Sequence, residues 1–296
     1  MSLNAKSKAP HVKAFFDNNS NTVSYVVADP LTAKAAVIDS VLDFDYASGT
    51  ISYDQADLMV SYVLAHELKV EWLIETHVHA DHLSAAPYIQ QKLGGKIGIS
   101  NRIVEVQTLF GKMFNAGTEF ERDGNQFDRL FNDGDSYKIG ELDAMAIATP
   151  GHTPACMVHL IGDAVFVGDT LFMPDGGTAR ADFPGGDART LYRSIQKILS
   201  LPDQTRMFVC HDYAPNGREF LWETTVGIQR DKNIHVGGNL ADEESFVDMR
   251  ETRDATLAVP RLIIPSIQVN MRAGHMPEAE DNGTSFLKVP LKGLRS

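Results

Sequence analysis

The 296-residue chain is 43% hydrophobic and carries a formal charge of −12, with 27 Lys and Arg against 39 Asp and Glu. That length and apolar content suit one large domain or two, while the acidic balance excludes a surface built to displace counterions from nucleic-acid phosphates. The first ten residues hold no apolar core of secretory length and no later run is long enough to span a bilayer, so a cytoplasmic protein with no nucleic-acid or membrane partner is expected.

Near the N-terminus, residues 12–16 and 22–27 flank the turn-forming Asn18-Asn19-Ser20-Asn21 and predict a hairpin, followed by a strand over 35–39. Ser52-Tyr53-Asp54-Gln55 has the spacing of a capping box and opens a helix on which the apolar Leu58, Tyr62 and Ala65 recur; His66, on the same helix, reads as structural. Directly after the apolar run 70–75, Thr76-His77-Val78-His79-Ala80-Asp81-His82 places four metal-binding side chains within six residues. Three imidazoles and a carboxylate held together are costly to desolvate unpaired, whereas a transition metal is served by neutral imidazole nitrogen and carboxylate oxygen.

Residues 83–93 read as a helix stopped by Gly94-Gly95, with Pro87 tolerable only near its first turn. Ile103, Val106, Phe110 and Met113 predict a further helix, and the polar stretch after it, to about Phe131, a mobile flap near the active-site face. Three more short β-type runs, 144–148, 164–167 and 207–209, each deliver a candidate ligand beyond their C-terminal ends: His152, Asp169 and His211. Buried strands that all end in ligands describe a site built on loops above a sheet. Asp187 caps a helix carrying Leu191, Ile195 and Ile198, which Pro202 ends.

Cys156 and Cys210 each lie beside a metal-binding motif, and no disulfide is expected of them in a reducing compartment. His235 and His275 read as ordinary polar residues. Beyond Asn239 the run 261–271 is too apolar for a disordered tail, and Pro265 within it predicts an irregular or edge segment. The division is a catalytic domain over 11–238 and an extension over 239–296, packed on the body or on the partner subunit of a homodimer.

Together His77, His79, Asp81, His82, His152, Asp169 and His211 fill the His-x-His-x-Asp-His, distant His, Asp and last His pattern of the metallo-β-lactamase superfamily, which the chain resembles from about His11 to His235. The resemblance implies the α+β class, as an αββα sandwich of two mixed sheets flanked by helices. The absence of an export signal argues against the secreted antibiotic-hydrolysing members.

Within the superfamily, Gly168-Asp169-Thr170-Leu171-Phe172, Arg180-Ala181-Asp182-Phe183-Pro184-Gly185-Gly186 and Cys210-His211-Asp212-Tyr213 resemble the persulfide dioxygenases most, in a bacterial branch described as β-lactamase-like hydrolases. That resemblance implies one Fe(2+) on His77, His152 and Asp169, with positions left for O2 and a substrate sulfur. His79, Asp81, His82 and His211 would then stand behind the ligands and orient them. Glutathione persulfide and O2 are the implied partners, sulfite and glutathione the products.

By the same resemblance Tyr213 lies near the bound sulfur, where it joins Asp81 and His82 as a candidate catalytic residue. Arg180 and Asp182 match an Arg-x-Asp-Phe element that borders the substrate pocket, although a pair that merely stabilises its loop is an equal reading. The chain departs from the family with Ala181 where Thr or Cys is usual and Cys210 where Ala is frequent. The alternative is a likeness to glyoxalase II, which implies two Zn(2+): one on His77, His79 and His152, one on Asp81, His82 and His211, and Asp169 bridging. The implied reaction is then hydrolysis of acyl-glutathione thioesters.

Overall fold

All seven residues of the strand Thr22–Ala28 are buried, and side-chain alternation explains why. Val23, Tyr25 and Val27 face one core, while Val26 and Ala28 face another. In the computed structural model, which describes residues 9–238 and 242–291, this strand is second in a six-stranded sheet of spatial order His11–Asp17, Thr22–Ala28, Lys34–Ile38, Lys69–Ile74, Lys96–Ser100 and Arg129–Phe131. The first three strands run antiparallel and the rest parallel.

A second six-stranded sheet follows chain order as well: Ser136–Ile139, Leu142–Ala148, Met157–Ile161, Ala164–Phe166, Arg206–Phe208 and Glu223–Thr225. It is antiparallel except where Ala164–Phe166 pairs parallel with Arg206–Phe208. The two sheets share a core of Val23, Tyr25, Ile38 and Ile74 against Leu142, Ile161, Phe166 and Phe208.

Helices close both outer faces. Helices α1 (Asp54–Ala65), α2 (Ala86–Leu93) and α3 (Ile103–Met113) cover the first sheet, packing Met59, Val63, Ile89, Val106 and Phe110 on it. Helices α4 (Ala188–Leu199), α5 (Val226–Lys232) and α6 (Glu243–Asp254) cover the second with Leu191, Ile195, Val226 and Phe246, and α7 (Ile263–Asn270) returns to the first with Ile263, Ile267 and Val269. The result is the expected αββα sandwich. None of the described helices is long and apolar enough to cross a membrane.

Five local expectations are corrected. The capping box at Ser52 does not form: Tyr53 occupies the N-cap position with no side-chain cap, and Asp43 takes the Gln55 N–H at 3.0 Å. The helix buries Ala56, Met59, Val60 and Val63, leaving Leu58 56% exposed. Residues 83–84 pair as a short strand with Val41 and Leu42, so α2 begins only at Ala86, with Pro87 in its first turn.

Instead of a mobile flap, residues 114–128 are pinned to the first core by Phe114, Phe120 and Phe127. The Gln107 side chain also accepts from Gly124 N and donates to Gln126. The segment with Pro265 is helical, because a proline in the first turn removes an N–H that has no partner inside the helix anyway. The predicted domain boundary adjoins residues 239–241, and the segment read for an export signal is mostly 1–8; both stretches lie outside the described residues.

Candidate metal centre

All seven expected ligands meet at one end of the sandwich. His77, His79, Asp81 and His82 follow the strand Lys69–Ile74, and His152, Asp169 and His211 follow Leu142–Ala148, Ala164–Phe166 and Arg206–Phe208. Asp169 is central: its Oδ2 lies 3.9 Å from His77 Nε2 and 3.6 Å from His152 Nε2, and its Oδ1 lies 3.2 Å from His211 Nε2. His211 Nε2 is also 3.6 Å from Asp81 Oδ2. The donor atoms of His77, His152 and Asp169 fall within 4.8 Å of one another, as do those of His79, Asp81 and His82.

Each imidazole is held through one nitrogen, and the partner fixes which nitrogen keeps its lone pair. Thr76 Oγ1 donates to Asp39 Oδ2 at 2.9 Å, so His77 Nδ1 donates to Thr76 Oγ1 at 3.0 Å and its Nε2 is left free. His79 reverses this, donating from Nε2 to Asp39 Oδ1 at 2.9 Å and leaving Nδ1. His82, His152 and His211 donate from Nδ1 to the carbonyls of Leu83, Arg180 and Asn21. Among the described residues, buried His77 Nε2, His79 Nδ1, His82 Nε2 and Asp169 Oδ1 have no hydrogen-bond partner. Orphaned donors and acceptors are uncommon in a protein interior, and a group of them on nitrogen and carboxylate oxygen fits metal ions.

The backbone bends to aim these groups. Asp169 sits at φ −90°, ψ 57°, outside helical space, and Gly168 before it at φ +49°, where a Cβ would meet Thr76 Oγ1 at 2.5 Å. Asp39, which the sequence reading passed over, is itself left-handed at φ +51° and binds Thr76, His79 and, at 3.6 Å, the Cys210 thiol. Its only signal was a carboxylate at the C-terminal end of a buried strand. Glu75 is 3.5 Å from His79 Nε2 and accepts from Ser84 Oγ.

Burial opposes charge throughout, and the neighbours decide the outcome. Burial and the surrounding imidazoles hold His77 well below the usual histidine range, and burial with His79 brings His82 down to about 4. Burial would lower His79 too, but Asp39 and Glu75 raise it to about 10. Asp81 resists its burial through His211, His82 and His79 and falls to about 2. Burial and neighbours thus favour ionised Asp81 and protonated His79 beside neutral His77 and His82, so that a metal on His79 Nδ1 would displace a proton.

A cleft of about 450 Å³ opens onto Asp81, His152, Asp169 and His211. Its wall includes Tyr213, 58% exposed, which stacks 6.0 Å from His211 and meets Phe172 edge-on. Arg180 also lines it, forming a two-pronged pair with Asp182 at 2.6 and 2.8 Å, donating to Ala258 O and lying over Phe183. The side chain is therefore tied both to its own loop and to the segment after α6, while its carbonyl holds His152 at 2.8 Å. The N–H of that same peptide, from Ala181, donates to Asp254 of α6. Arg250, Arg253, Leu257 and Pro260 also line it. Cys156 and Cys210 are both free and buried.

A sandwich that gathers seven such ligands at its strand ends defines a metal-dependent enzyme class. The model of the metallo-β-lactamase superfamily matches residues 18–211, and the chain belongs to that superfamily. A probable metallo-hydrolase of Burkholderia pseudomallei is 52% identical, with 96% of this chain and 99% of that protein covered. "Glyoxylase B2" of Dictyostelium discoideum is 45% identical, with 98% and 99% covered. Among solved structures, ETHE1 from Myxococcus xanthus matches with a TM-score of 0.70 at 28% identity, over 90% of this chain and 100% of that one.

Proposed function

We propose that the chain is a binuclear metallohydrolase of glyoxalase II type, cleaving the thioester of an acylated acidic thiol such as glutathione. One observation carries this reading: His79 Nδ1 and His82 Nε2 are buried and unpartnered alongside His77 Nε2 and Asp169 Oδ1. A single metal on His77, His152 and Asp169 leaves the first two orphaned, at about 1–3 kcal/mol each. His77, His79 and His152 would hold one ion and Asp81, His82 and His211 a second, with Asp169 available to both, so that every free donor has a use. The stronger likeness to the Dictyostelium and Burkholderia proteins supports the same choice.

Two such cations would supply Lewis acidity and bring the pKa of a bound water to about 7. The protein's own part is to hold the donors: Asp39 fixes Thr76 and His79, Thr22 Oγ1 donates to Asp81 Oδ2 at 3.0 Å, and the Arg180 carbonyl turns His152. Tyr213 offers its hydroxyl to substrate at the cleft mouth, and Arg253 brings a cation to the rim for the carboxylates of the thiol carrier.

A second reading, the mononuclear Fe(2+) persulfide dioxygenase, rests on the compact set of His77, His152 and Asp169 and on the likeness to ETHE1. There glutathione persulfide, O2 and water yield sulfite and glutathione, with both oxygen atoms of O2 entering the sulfur product. Zinc-loaded and anaerobically iron-loaded protein should be given acyl-glutathione and, separately, glutathione persulfide. Release of free thiol from the first with no oxygen uptake on the second is the expected result; oxygen uptake with sulfite formation and an intact thioester assigns the dioxygenase.

A further inference from the structure

The superfamily match ends at residue 211, yet the loop that carries three histidines and an aspartate is clamped from residue 270. Asn270, at the end of α7, is buried. Its Nδ2 donates to His79 O at 2.9 Å and to His82 O at 2.8 Å, while its Oδ1 accepts from Ser84 N at 2.8 Å. One amide therefore uses both donors and its acceptor on the segment 79–84, tying the carbonyls of two candidate ligands to each other and to the backbone after them. No aliphatic residue meets those three backbone groups, and an aspartate would set a carboxylate against two carbonyl oxygens.

We infer that Asn270 is a positioning residue for the metal centre, so that the C-terminal segment completes the site from outside the matched domain. The inference rests on the metal reading for its consequence, but the clamp itself is independent of which metals bind. The same C-terminal segment also reaches His152. Asp254 of α6, paired with Arg250, accepts from Ala181 N at 2.8 Å, and the carbonyl of that planar peptide accepts from His152 Nδ1. Three candidate ligands are thus backed by helices α6 and α7. Val269, its neighbour on α7, serves packing and is fully buried in the apolar core.

The contrast between Asn270 and Val269 gives the test. Full-length protein carrying Asn270→Asp, Asn270→Ser or Val269→Ala is compared with the unmodified chain in two measurements well below the unfolding midpoint. In metal-free protein, amide hydrogen exchange of the peptide covering 77–85 should rise in both Asn270 variants and stay unchanged in Val269→Ala. In chelator competition with Zn(2+), both Asn270 variants should bind about 10- to 100-fold more weakly, the range for losing an outer hydrogen-bond partner of a ligand. Val269→Ala should lower the unfolding temperature and leave zinc affinity in place.

Unchanged exchange in both Asn270 variants, or zinc affinity that falls equally in Val269→Ala, overturns the inference. Failure of the unmodified chain to bind zinc or iron overturns the metal reading instead, and the exchange measurement still decides the clamp.

Discussion

At the scale of single residues, the site was the most legible part of the sequence, because His and Asp at strand ends have few other uses in such density. What escaped was the layer behind them. Asp39, Asn270 and Asp254 are single polar residues in apolar or helical surroundings, and only the fold brings them to the ligands. Replacing His82 by Ala should lower bound metal from two per chain to one, and Asp169→Ala should reduce activity by more than the roughly 10- to 100-fold typical of an outer partner; metal analysis and thioester assays check both. Gly168→Ala combines a positive φ with a 2.5 Å approach to Thr76 Oγ1 and should cost about 1–3 kcal/mol in denaturant unfolding.

His235 supplies a pH prediction away from the ligands. Its Nδ1 accepts from Thr178 N at 3.0 Å, and burial, with Arg250 and Arg253 nearby, lowers it to about 4. The folded pKa lies below the unfolded value near 6.5, so the unfolded chain binds the extra proton first. The stability is complete above pH 6.5 and is lost as pH falls toward 4, by an amount on the order of 2 kcal/mol. His235→Gln should flatten that part of the curve, and an unchanged slope would refute the assignment.

Secondary-structure elements were read best where local chemistry decides them. Asp187 caps α4 by accepting from Thr190 N at 2.7 Å, as its place before Leu191, Ile195 and Ile198 predicts; Asp187→Ala should cost about 1 kcal/mol in thermal or denaturant unfolding. Misreadings arose where tertiary packing chose between local options. Leu58 fits a helical stripe with Tyr62, but the neighbouring stripe of Met59, Val60 and Val63 is more apolar and wins the core. Pro265 was read as marking an irregular or edge segment, yet a proline is harmless in a first turn, and sequence alone did not reveal that α7 starts at Ile263.

For the molecule as a whole, the layered sandwich was legible through the resemblance that the seven-ligand pattern carries rather than through strand or helix periodicity, whereas the return of α7 to the first sheet was not legible at all, since contacts between residues 79–84 and 270 leave no local pattern. The five site imidazoles and two carboxylates are largely buried, so cations that bind only the folded chain should raise its unfolding temperature with concentration, and chelation should reverse the gain. The most direct test of the binuclear centre is a crystal structure of zinc-reconstituted protein with anomalous diffraction at the zinc edge. Two peaks per chain, one among His77, His79 and His152 and one among Asp81, His82 and His211, are predicted. A single peak at His77, His152 and Asp169, with His79 and His82 uncoordinated, would contradict the account and favour the mononuclear enzyme.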